Sequence, residues 1–89
     1  MPCISRFYGI AIYMYFSDHA PPHFHAIYGE YDAEIEIPSG KVIDGWAPNR
    51  VLRLVRQWAR LHVRELEHDW QLVREKGALR QIAAFDAGR

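Results

Sequence analysis

His23-Phe24-His25-Ala26-Ile27-Tyr28-Gly29-Glu30-Tyr31-Asp32-Ala33-Glu34-Ile35-Glu36-Ile37 is the stretch that decides the fold. Its second half alternates cleanly. Tyr31, Ala33, Ile35 and Ile37 fall on one side and Asp32, Glu34 and Glu36 on the other, the period-two pattern of a strand with one buried face. Gly29-Glu30 is a two-residue link with glycine first, which suits a type II′ hairpin. A two-residue turn also fixes the register. Tyr28 then faces Tyr31, Ala26 faces Ala33 and Phe24 faces Ile35, and these side chains form the face that meets the core. The same register sets His25 opposite Glu34 and His23 opposite Glu36. Two histidines and two carboxylates are therefore expected together on the outer face, with directly opposed Cβ atoms about 5 Å apart.

Upstream of the hairpin, Pro21-Pro22 fix φ and remove two backbone donors, so residues 18–22 read as a shaped loop. Residues 10–16 are apolar on both faces, as expected of a strand buried on both sides. Residues 4–8 read as a separate short strand or an extended lead-in, with Gly9 as the break. Downstream, Pro38-Ser39-Gly40 is a turn and residues 41–44 a short further strand.

The helical half starts near Pro48, a good first-turn residue. Val51, Leu54, Val55, Trp58, Leu61 and His62 recur at helical spacing and form one apolar stripe. Arg50, Arg53, Arg60 and Arg64 lie opposite, with Arg56 near the edge. His62 marks a break or bend, because residues 63–76 carry a fresh stripe of Leu66, Trp70 and Val73. Gly77 is the expected C′ residue. Residues 79–85 read as a final short strand, and the last four residues as frayed. The expected class is α+β: a curved antiparallel sheet of about four strands with one or two C-terminal helices packed on one face. Residues 1–46 are strand-rich, 47–77 helical and 78–89 a short tail, all in one domain.

Composition narrows the function classes. With 89 residues the chain has room for one domain, and 49% hydrophobic content is enough for a core and too much for disorder. The net charge is zero, so global electrostatics announces neither a nucleic-acid nor a membrane partner. One cysteine, Cys3, excludes an internal disulfide and a cysteine-based zinc site. No run reaches the length of a membrane span and no cationic signal start is present, so a cytoplasmic setting without a membrane partner is expected.

Three of the five histidines, His19, His23 and His25, fall within seven residues around the prolines. Histidine ligates metal, shuttles protons or binds anions near neutral pH, and three readings stay open here. The rings can hold the turn by hydrogen-bonding backbone carbonyls. They can form an acid–base site: a metal-independent ribonuclease, with His23 and His25 as base and acid, His19 beside them and Arg6 stabilising phosphate charge. Or His23 and His25, projecting on one face of a strand, can hold a divalent metal with Glu34, Glu36 or His19 completing the ligands.

The remaining features have bland readings beside functional ones. The acidic row Asp32, Glu34, Glu36 is a solvated sheet face, and it disfavours nucleic acid on that side. The arginine stripe is a solvated helix face, or else a phosphate track or docking surface for an acidic partner. Trp58 and Trp70 belong to the core, whereas Trp46 is a candidate exposed anchor. A chain this neutral suits RNA or DNA as a partner less well than it suits protein, and its small sheet is compatible with a homodimer through a strand edge.

The segments Ile4-Ser5-Arg6-Phe7-Tyr8-Gly9-Ile10, Tyr13-Met14-Tyr15, Asp18-His19-Ala20-Pro21-Pro22-His23-Phe24-His25-Ala26 and Tyr28-Gly29-Glu30 resemble a small bacterial family, the domain of unknown function 4160. Leu61-His62, Glu65-Leu66 and Trp70 extend the resemblance over nearly the whole chain. The resemblance implies no activity. It implies one half of a two-gene module, with a cognate small protein encoded next to it, in a toxin–antitoxin-like or regulatory pair.

Overall fold

The computed structural model describes residues 3–16 and 19–85; Asp18 and the last four residues, with the readings given for them, lie outside the described residues. Five antiparallel strands form one sheet in simple chain order: β1 (Cys3–Phe7), β2 (Ile10–Tyr13), β3 (His23–Tyr28), β4 (Tyr31–Glu36) and β5 (Val42–Gly45). Two helices follow, α1 (Asn49–Leu61) and α2 (Val63–Arg74). The class is α+β as expected. The sheet has five strands because the lead-in to Gly9 is a strand of its own.

Each tight turn is explained by its residues. Tyr8 and Gly9 both have positive φ, 50° and 76°, the requirement of a type I′ turn, and Phe7 pairs directly with Ile10 across it. At the next hairpin Gly29 takes φ 58° and Glu30 does not turn positive, as a type II′ turn requires. The β3–β4 register is the one deduced from that turn: His23↔Glu36, Phe24↔Ile35, His25↔Glu34, Ala26↔Ala33 and Tyr28↔Tyr31. β2 is shorter than its apolar run, since pairing stops at Tyr13↔His25 and the chain then leaves the sheet toward the proline loop.

The inner face carries the core. Ile10, Ile12, Phe24, Ala26, Ala33 and Ile35 are buried there. α1 covers them with Trp58, which meets Phe24 edge-on at 5.8 Å and Phe7 at 5.2 Å. Leu61, placed on the apolar stripe by spacing, is 69% exposed, because α1 ends at that residue. The break expected at His62 is present: its N–H bonds back to Ala59 and its carbonyl accepts Leu66 N–H to start α2.

Two expectations about the C-terminal part need correcting. Gly77 is not the C′ residue. Lys76 takes the left-handed conformation at φ 58°, its N–H bonds to Val73 O, and Gly77 N–H bonds to Leu72 O at 2.7 Å. This is the Schellman pairing with lysine in the position glycine usually holds. Residues 79–85 form no strand. They run as an extended strap beside β1, tied by Ile82 N–H to Ile4 O (2.8 Å), Gln81 Nε2 to Cys3 O (2.6 Å) and Trp58 Nε1 to Ala83 O (2.9 Å). No helix among the described residues is long and apolar enough to cross a membrane.

Candidate functional site

Alternate residues of β3 separate the core from the site. Phe24 and Ala26 point inward, so His23 and His25 point to the outer face beside Asp32, Glu34 and Glu36 of β4. Across β2, Tyr13 stands directly opposite His25. The outer surface at this point was expected to be solvated. Instead His23 is 4% and His25 8% exposed. The covering groups come from outside the hairpin. The Tyr15 ring meets His25 edge-on at 4.6 Å, and Trp70 of α2 lies 5.4 Å from His23. The two imidazoles stand 5.4 Å apart.

The histidine–carboxylate contacts run diagonally across the ladder. His23 Nε2 lies 3.3 Å from Glu34 Oε1, and His25 Nδ1 lies 3.3 Å from Asp32 Oδ1. Register predicted the direct pairs His23 with Glu36 and His25 with Glu34. Strand twist brings diagonal neighbours within reach of long side chains, and local hydrogen bonds choose among them. His23 Nδ1 donates to Pro21 O at 2.8 Å, because a carbonyl only accepts. Glu36 accepts instead from Ser39 Oγ in the turn that follows β4.

His23, His25 and Glu34 each present one ligand atom, and the three atoms lie within 4.8 Å of one another. Glu34 and Asp32 keep 27% and 55% of their side chains exposed, so the group opens to solvent on its carboxylate side. The other candidates lie apart. His19 stands exposed in the proline loop. Arg6 lies on the outer face of β1, where it hydrogen-bonds Tyr13 Oη at 3.3 Å. Sequence reasoning missed Asp32, Tyr15 and Trp70 as parts of this site. Asp32 was within reach, one diagonal step from His25 in the deduced register; the tertiary placement of Trp70 left no local signal.

Two further surfaces bear on function. Asn49, Arg53, Arg56, Gln57 and Arg60 line a groove of about 360 Å³ along α1. Arg56 anchors one side of it by donating from Nε to Gly40 O at 2.8 Å, in the turn that leads into β5. After that turn, β5 forms an edge of the sheet. Ile43 is 38% and Trp46 59% exposed along it, and the Tyr31 ring packs edge-on against Trp46 at 4.9 Å.

A family model described as domain of unknown function (DUF4160) matches residues 9–71. No curated protein and no solved structure matches the chain.

Proposed function

The chain belongs to the family of the domain of unknown function 4160, and on that footing we propose that it works as the binding member of a pair of small proteins. The pair is a toxin–antitoxin-like or regulatory two-gene module of a bacterial cytoplasm. The observation that carries this reading is the inequality of the two sheet edges. The β1 edge is covered by the strap, through Ile82 N–H to Ile4 O. The β5 edge pairs with no further strand among the described residues and carries Ile43 and Trp46 in solvent.

An open edge beside exposed aromatic side chains favours strand addition by a partner: main-chain hydrogen bonds supply affinity, and a tryptophan supplies an anchor. The basic groove of α1 is tied to the turn before β5 by Arg56 and Gly40, which suits a partner with an acidic segment.

The ribonuclease reading ranks behind. It asks His23 and His25 to meet an RNA 2′-hydroxyl, yet both rings are buried, beside Tyr15 and Trp70. A neutral chain also has little to draw a polyanion.

Co-expression with the neighbouring gene tests the binding reading. Wild type is expected to co-purify with that gene's product, and an Ile43→Lys/Trp46→Ala variant with an unchanged circular dichroism spectrum is expected to lose it. Capture undiminished in that variant, or a strict monomer that never retains the neighbour, overturns the proposal. A second copy of this chain in place of the neighbour would also overturn it, in favour of a β5 homodimer.

A further inference from the structure

We propose that His23, His25 and Glu34 form a binding site for one divalent transition-metal ion of the zinc class, with Pro21 O and Asp32 as the groups that orient the ligands. Tautomer and distance carry the argument. His23 Nδ1 donates to Pro21 O at 2.8 Å, so the proton of the neutral ring sits on Nδ1 and the lone pair on Nε2. That lone pair points at Glu34 Oε1 from 3.3 Å. Two acceptors facing each other at this distance repel unless a positive charge lies between them. Two atoms bonded to one tetrahedral ion at roughly 2.0–2.1 Å stand about 3.3 Å apart. The observed separation of His23 Nε2 and Glu34 Oε1 matches that edge of a tetrahedral coordination shell.

His25 repeats the arrangement. Its Nδ1 faces Asp32 Oδ1 at 3.3 Å, the carboxylate–histidine contact that holds a ligating ring in orientation. The three ligand atoms, within 4.8 Å of one another, need small side-chain rotations to converge. Burial of both imidazoles against Tyr15 and Trp70 fixes their ring planes, and the exposed flank of Glu34 and Asp32 gives an ion its way in. The donor set of two imidazoles and one carboxylate suits zinc and its neighbours and not calcium or magnesium, which prefer oxygen alone. Three protein ligands leave at least one position for solvent or for a group from another molecule.

The full chain, stripped by a chelator and titrated with Zn(II) alone, is expected to bind one ion per chain. Its unfolding temperature should rise with free zinc, and Co(II) should give the visible absorption of an ion ligated by nitrogen and oxygen. Glu34→Gln and His23→Ala should abolish binding, and Asp32→Asn should weaken it about 10–100-fold. Glu36→Gln and His19→Ala should leave it unchanged. Wild type that retains no zinc and shows no change in unfolding temperature overturns the proposal and leaves the cluster a histidine–carboxylate hydrogen-bond network. Equal loss in Glu34→Gln and Glu36→Gln overturns the assigned ligand set. Should His23→Ala fail to fold, Glu34→Gln decides, because its side chain is partly exposed and its volume is conserved.

Discussion

The two faces of the β3–β4 hairpin are built from neighbouring residues and follow different rules. On the inner face Phe24, Ala26, Ala33 and Ile35 are buried by apolar packing under α1. On the outer face His23 and His25 are nearly as buried, yet they meet Pro21 O, Glu34, Asp32 and each other through polar and aromatic contacts. Apolar contact is non-directional, so the inner face tolerates any arrangement that fills the space. The outer face depends on particular partners, because a buried polar group left without one costs about 1–3 kcal/mol.

Neighbouring residues of β3 provide the most direct way to break this comparison. Phe24→Ala removes a fully buried ring that packs on Trp58 and is expected to cost about 3–5 kcal/mol of stability. His25→Ala, one residue away on the other face, should cost about 1–3 kcal/mol, from the loss of the Asp32 contact and of packing with Tyr15. Urea unfolding of both variants at one pH checks the pair. A His25 variant as damaging as the Phe24 variant would mean that the outer cluster is a second core.

A second substitution couples the two faces through the backbone. Gly45 ends β5 at φ 77°, and a Cβ there would stand 2.0 Å from Asp32 O. Neither the conformation nor the space admits a side chain, so Gly45→Ala should cost about 2 kcal/mol or more. The strand it would push is β4 at Asp32, which holds His25. The expected mark beyond lost stability is therefore a changed His25 ring environment, read as a shift of its imidazole NMR signals. Unshifted signals in a folded variant would show that β5 moves and β4 stays.

How much of this was legible follows the same division. The hairpin register, the type II′ turn, the inner face and the break at His62 are local consequences of alternation, turn chemistry and spacing. The histidines and Glu34 were legible as a group for the same reason. Their diagonal pairing was not, because it depends on the pull of Pro21 O on His23 and of Ser39 on Glu36, and on sheet twist. Their burial was not legible either, since Trp70 arrives from α2, more than forty residues along the chain. Lys76 misled for a related reason. Glycine is preferred at a left-handed C′ position, but here the adjacent Gly77 serves as C″ and the lysine accepts the strain.

Asp69 sharpens the comparison with the smallest expected effect, for it is a polar exception on the core side. Its side chain on α2 is buried. Oδ1 accepts the Arg80 N–H that anchors the strap, at 2.9 Å, and Oδ2 has no hydrogen-bond partner. Burial holds its carboxyl above the ordinary value of 3.8, against a smaller downward pull from the Arg80 N–H. The folded chain therefore binds this proton more tightly than the unfolded chain. The stability this contributes is fully present below pH 3.8 and is lost as pH rises through the raised folded value. Asp69→Asn keeps the acceptor for Arg80 and removes the titration. Its new amide donor adds a cost that does not vary with pH. Relative to wild type, the variant should gain stability as pH increases across that window, measured by urea unfolding from acid to neutral pH. A difference that stays flat would mean that solvent reaches Oδ2 through the cavity of about 180 Å³ beside it, lined by Glu65, His68 and Arg80. A buried polar group supported by several partners, as in the histidine cluster, and one held by a single hydrogen bond would then behave alike, and burial alone would not separate the two faces.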